Sequence, residues 1–150
     1  MIVRTDKLNF SEQQIVFFAS GYESCPGIYF LLQDDEIVYV GKSADTGFRV
    51  ATHYNQGEKV FNGHAVVEIV DTEARDYWEV EYIVRFAPRY NASLPPSKKW
   101  VTLAILQRMT GQSKPTLKRI IRNLNIKDTN GYYLAADFAD LLPFKESDLL

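Results

Sequence analysis

The sequence predicts an α/β (α+β) architecture: a small sheet flanked by helices, followed by a small helical lobe. Three observations carry that expectation. Residues 27–32 and 37–41 are β-prone runs on either side of Gln33-Asp34-Asp35-Glu36, a spacing that suits a hairpin. Residues 64–70 read as a third strand between two helical stretches, 46–54 and Thr72–Phe86. At Ser93-Leu94-Pro95-Pro96-Ser97 the charge reverses: residues 1–94 hold 8 basic and 14 acidic side chains, a net of −6, while residues 95–150 hold 9 and 5, a net of +4. The two prolines disfavour helix and continuing strand, so the boundary falls there, between units 1–94 and 95–150.

The elements follow in order. Ser11 caps a short helix over residues 12–19, because its hydroxyl accepts a bond from an otherwise unpaired backbone N–H. The two runs of the hairpin pair antiparallel, and they carry Gly27-Ile28-Tyr29 and Tyr39-Val40-Gly41. Asp71 caps the helix from Thr72, and Pro88 ends it. Strand, strand, helix, strand, helix within so short a span makes a small α/β sandwich, with no internal repeat. At 150 residues and 46% hydrophobic content there is room for one domain, or for a small domain with an appendage. Cys25 is the only cysteine, which excludes an intrachain disulfide and a cysteine-rich zinc site, and it reads as a small packed residue. No apolar run is long enough to span a membrane, and the N-terminus lacks the layout of a signal peptide, so a cytoplasmic location is expected.

One carboxylate needs an explanation. In the helix 72–86, Glu79 shares a face with Tyr82, Ile83 and Phe86, so it points toward apolar surroundings. Asp76 lies at the edge of that face, while Glu81 and Arg85 lie on other sides and read as solvated charges. An unpaired buried charge costs several kcal/mol. Helix geometry leaves two readings open for Glu79: a structural ion pair, with Arg49 or Arg89, or a metal ligand.

Taken together, Gly27-Ile28-Tyr29, Tyr39-Val40-Gly41, Arg49 with His53 four residues on, Glu79, and Pro88-Arg89-Tyr90-Asn91 resemble the GIY-YIG nuclease family. Within it, the likeness is to the N-terminal nuclease domain of the bacterial excision-repair incision enzyme, where Gly-Lys follows the second tyrosine and Pro-Arg-Tyr-Asn follows the glutamate helix. The match covers roughly residues 25–92, and Val40 replaces the family's Ile. The resemblance implies a three-stranded antiparallel sheet flanked by helices, and hydrolysis of DNA phosphodiesters with one divalent ion, Mg2+ or Mn2+, per active site.

The resemblance assigns roles that chemistry can check. Glu79 is the metal ligand; two-metal sites need several converging carboxylates, and here only Glu79 is both matched and inward-facing. One of Tyr29 and Tyr39 activates water, with Tyr39 favoured, and Lys42 and Arg49 supply cations that stabilise a phenolate. The competing reading of the tyrosines is a cross-strand aromatic pair stiffening a hairpin. Arg49 offers its fork of donors to phosphate, although a bare surface arginine is the alternative. His53 bonds a nonbridging oxygen or shares a proton with a tyrosine; the family carries His or Tyr here, and a one-residue shift in register would substitute Tyr54. Asn91 braces the site, and Gly41 lets the backbone turn close to it.

In the basic tail, residues 101–109 read as one helix, 110–114 as a turn, and 115–124 as a second helix with Pro115 in its first turn. This resembles a helix-turn-helix. Leu117, Ile120, Ile121 and Leu124 form an apolar stripe, while Lys118, Arg119 and Arg122 cluster opposite, with Lys114 just before them. Those four cations are candidate DNA contacts; the alternative is an amphipathic helix with a solvated basic face. Residues 131–134 and 135–142 complete the lobe as a strand and a helix. The expectation is a metal-dependent DNA endonuclease guided by this lobe, and the rival is a noncatalytic DNA-binding or regulatory protein on the same scaffold. One active site makes one nick, so double-strand cleavage requires a homodimer or two sequential events.

Overall fold

A computed structural model describes residues 2–18 and 24–139. It divides into two units, Met1–Ala92 and Ser93–Leu150. Among the described residues, no helix is long and apolar enough to cross a membrane.

The first unit is built on a sheet of order β1-β4-β2-β3. The hairpin joins β2 (Gly27–Gln33) and β3 (Glu36–Ser43), longer than expected at both ends. Its turn is therefore only Asp34-Asp35, whose φ values of 50° and 64° make it the mirror-image turn that matches strand twist. Aspartate tolerates that conformation, and Asn62 holds it by donating to Asp34 Oδ1 (2.9 Å) and accepting from Asp34 N (3.1 Å). β2 is central, antiparallel to both β3 and β4 (Gly63–Glu68). Residues 27–32 are all buried, so β2 reads as a continuous apolar run rather than an alternating one. A two-residue strand β1 (Ile2–Val3) adds in parallel to the free edge of β4, a pairing too short to leave a periodic signal in sequence.

Alternation along β2 sends Ile28 and Phe30 to one face and Tyr29 and Leu31 to the other. The first face is covered by α3 (Thr72–Phe86), whose Tyr82 and Phe86 rings meet Phe30 at 5.2 and 6.5 Å. The second packs against α2 (Thr46–Gln56), in a core of Cys25, Tyr29, Leu31, Val38, Val50 and Val66. Asp45 and Asp71 cap these helices by accepting from Phe48 N (3.0 Å) and Ala74 N (2.8 Å). Ser11 and Gln14 form a reciprocal capping box on α1 (Glu12–Phe17), which ends at its C-cap Phe18, earlier than expected; residue 19 lies outside the described residues.

Helix α3 is more enclosed than one apolar stripe implies. Glu79 through Val84 are all buried, including Glu81, a residue that helical periodicity alone places in solvent. The reason is the N-terminal segment, which covers a second side of the helix: Tyr82 Oη donates to Leu8 O, and Arg85 donates to Asn9 Oδ1 and to Phe10 O.

The second unit orders β5 (Trp100–Thr102), α4 (Leu103–Thr110), α5 (Lys114–Asn123), β6 (Tyr132–Leu134) and a 3-10 turn (Ala135–Phe138). Val101 is not helical, contrary to the expectation. It pairs with Tyr133 in an antiparallel ribbon, and Thr102 caps α4 by accepting from Ile105 N at 3.1 Å. Only the distant strand β6 reveals this start. Val101, Leu106, Leu117, Ala135 and Phe138 form the core. Leu124 stands at the end of α5, 54% exposed, and so drops out of the expected apolar stripe. The expected helix 135–142 is a single 3-10 turn, and residues 140–142 lie outside the described residues.

Candidate active site

The site is built around Gly41-Lys42 in β3. Tyr29 lies directly opposite Gly41 in the ladder, and its ring folds across that residue. A methyl group at Gly41 would sit 2.3 Å from Tyr29 Cζ and 2.4 Å from its hydroxyl. Gly41 thus serves close approach of a ring within a strand, not the backbone turn expected of it. Gly27 is required in a similar way, since a methyl there would lie 2.1 Å from the Val67 carbonyl oxygen.

Tyr29, Tyr39 and His53 form a triangle of rings, with centroids 6.0 Å apart for the tyrosines, 5.6 Å for Tyr29–His53 and 5.0 Å for Tyr39–His53. His53 reaches inward because Thr46, Val50 and His53 share the buried face of α2 at helical spacing. Its Nε2 is hydrogen-bonded to Tyr29 Oη at 3.0 Å. Tyr54 is 41% exposed and instead meets Phe61 (4.3 Å), so the histidine, not its neighbour, belongs to the cluster. Arg49, one turn before His53, lies close enough to Tyr29 for its charge to favour the ionised phenol.

Burial sets the protonation states. Tyr29, 1% exposed, has its pKa raised by desolvation and then by neighbouring Tyr39, with Arg49 acting the other way. His53 is pushed down to about 4 by desolvation and by the facing cations Lys59 and Arg49, against a smaller opposite effect of Glu58. It is a neutral imidazole at physiological pH.

Lys42 projects to the other face of β3, toward α3. Its Nζ pairs with Asp76 Oδ1 and lies 3.9 Å from Glu79 Oε1. The ion-pair partner of Glu79 is thus Lys42; the Arg89 guanidinium is over the Tyr90 ring (5.5 Å), and Arg49 is with Tyr29. Burial raises the Glu79 pKa to about 6, since desolvation outweighs the attraction of Lys42, while Asp76 adds to the rise. The tyrosine cluster and the glutamate therefore approach β3 from its two sides at adjacent residues, 41 and 42.

Asn91 braces this strand. Its Oδ1 accepts from Val40 N (2.9 Å) and its Nδ2 donates to Val40 O (3.0 Å), satisfying the backbone between Tyr39 and Gly41. Tyr90 adds a backbone bond to Val38 O (3.0 Å). Sequence reasoning missed Lys59, whose Nζ is 4.8 Å from the Tyr39 ring centroid. It lies outside every matched motif, and no local signal marks it.

Among the described residues no group of three or more His, Cys, Asp and Glu side chains forms a metal cage. Glu79 with Asp76 one turn away still suits Mg2+, which keeps most of its waters and takes one or two carboxylates plus phosphate oxygens. In the second unit, Lys114, Lys118, Arg119 and Arg122 are all exposed on α5.

No protein-family model matches the chain, and no solved structure does. The chain is similar to UvrABC system protein C of Mycoplasma capricolum, 31% identical over 104 residues, and to that of Mycoplasma mycoides, 30% identical over 104 residues. The similarity covers 63% of this chain and 17% of each of those proteins.

Proposed function

We propose that the chain is a metal-dependent DNA endonuclease of the GIY-YIG type that hydrolyses phosphodiesters to 5′-phosphate and 3′-hydroxyl ends, aided by its basic second unit. The observation that carries the reading is the convergence on Gly41-Lys42 of two phenols, a neutral imidazole and a guanidinium from one side, and a buried carboxylate from the other. The similarity to UvrABC system protein C over 104 residues supports the same reading.

Glu79 would hold a single Mg2+ or Mn2+, which supplies Lewis-acid polarisation of the phosphate when bound. Of the two phenols, Tyr29 keeps its proton, because burial and the neighbouring phenol both oppose its ionisation. With its proton on Nε2, His53 donates to Tyr29 Oη, and the Tyr29 ring lies 6.0 Å from that of Tyr39. Tyr39, the half-buried member, is then the base toward the attacking water. Arg49 presents its planar fork to the phosphate as charge grows on it. Lys42 balances Glu79, and Asn91 holds the strand carrying Tyr39.

The test is incubation of the protein with supercoiled and linear DNA in Mg2+, Mn2+ or EDTA, beside the Glu79→Ala variant. Nicking that requires the metal and disappears with Glu79→Ala is expected. Cleavage indifferent to EDTA or to the substitution overturns the mechanism.

A further inference from the structure

Lys59 combines three features that an ordinary surface lysine lacks. Its ammonium lies 4.8 Å from the Tyr39 ring centroid, which fixes the direction of its stem. Its loop is anchored on both sides: Gly57 N donates to His53 O (3.3 Å), Val60 N to Tyr90 Oη (3.2 Å), and Asn62 N to Leu32 O (2.8 Å). Gly57, at φ 67°, supplies the left-handed residue that ends α2 and turns the loop back toward the rings. Lys59 is only partly buried. It shares with Arg49 an electrostatic reach to His53, which places two cations about one neutral imidazole.

We propose that Lys59 is a second phosphate-contacting cation of this site, held by its anchored loop and the Tyr39 ring to bind a backbone phosphate of the DNA strand being cut. The assignment rests on the nuclease reading above. It gives the Tyr39 side of the site a charge independent of Arg49. A cation stacked on a phenol loses little further side-chain freedom when it takes a phosphate, whereas a free lysine would have to be ordered first.

The experiment measures duplex DNA affinity of the full chain by fluorescence anisotropy across a series of KCl concentrations, in EDTA so that no strand is cut. Lys59→Met, Lys59→Gln and Lys59→Arg are compared with wild type, and nicking in Mg2+ is followed in parallel. Loss of one phosphate contact should reduce the slope of log affinity against log salt by ~0.9 in the Met and Gln variants, with Arg restoring it. His53, followed by NMR, should titrate higher in Lys59→Met than in wild type, since among Tyr29, Tyr39, Arg49, Lys59 and Glu58 around it one cation has been removed. A wild type that binds and nicks DNA while the Met and Gln variants keep its salt slope overturns the assignment alone, as does an unchanged His53 titration. A wild type that neither binds nor nicks overturns the nuclease reading and the assignment with it.

Discussion

Gly41→Ala offers a sharp test of how the strand and the ring cluster depend on one another. The new methyl group would lie 2.3 Å from Tyr29 Cζ, 2.4 Å from Oη and 2.8 Å from Cε1. The ring must give by about 1 Å to restore ordinary contact, yet it is 1% exposed and its hydroxyl is tied to His53 at 3.0 Å. Overfilling of a well-packed site costs about 1–3 kcal/mol. For a unit of this size each kcal/mol lowers Tm by roughly 4–8 °C, so a fall of about 4–24 °C is expected in circular-dichroism melts. The same displacement moves the Tyr29 hydroxyl out of its bond to His53, and a misplacement of that size should lower the nicking rate on the order of 100-fold. Replacing Tyr29 by Leu removes the ring, so Gly41→Ala should cost markedly less in a Tyr29→Leu background. A Gly41→Ala protein that melts with wild type, or that loses as much stability beside Tyr29→Leu as without it, refutes the close-approach reasoning.

Glu79→Gln should abolish metal-dependent nicking while raising stability at pH 7. The folded pKa is raised from 4.5 to about 6, so ionisation opposes the fold as pH rises through that window; removing it should stabilise by on the order of 1–2 kcal/mol in urea melts at pH 7 and not at pH 4. By the same shift, proton and cation compete for Glu79, so wild-type nicking at limiting Mg2+ should fall as pH drops through about 6 and recover as Mg2+ is raised; a Mg2+ requirement that does not change with pH counts against Glu79 as ligand. His53 acts in the opposite sense: its pKa is depressed from 6.5 to about 4, so the stability tied to its neutral form is lost as pH falls through that range, and His53→Asn should flatten the acid arm of the stability curve. Asn91→Ala removes both side-chain bonds to Val40 and should cost about 1–3 kcal/mol by urea denaturation, with no loss contradicting the bracing role. Replacing Lys118, Arg119 and Arg122 together by Ala should lower the magnitude of the DNA-binding salt slope by ~2–3, whereas an unchanged slope removes α5 from the DNA interface.

What the sequence determined alone lies mostly within a few residues of itself. Asp71 and the following periodicity delimited α3, Ser11 started α1, and Gln33-Asp34-Asp35-Glu36 marked the turn that narrows to its two aspartates, because caps and turns are decided by local backbone chemistry. The residues that converge on β3 were also legible, since their spacing in the chain is what the resemblance reads. The tertiary structure decided how they act. Lys42 meets Asp76 34 positions away, and Asn91 reaches Val40 across 51, distances over which periodicity carries no pairing information. Only assembly buries Tyr29 more deeply than Tyr39, encloses Glu81, makes Val101 a strand residue through Tyr133, and swings Lys59 over a phenol. Hydrogen bonds to a residue's own helix or turn are encoded nearby, while desolvation and cross-strand contact depend on which distant surfaces meet, and those two effects choose the ion pair of Glu79 and the protonation state of His53.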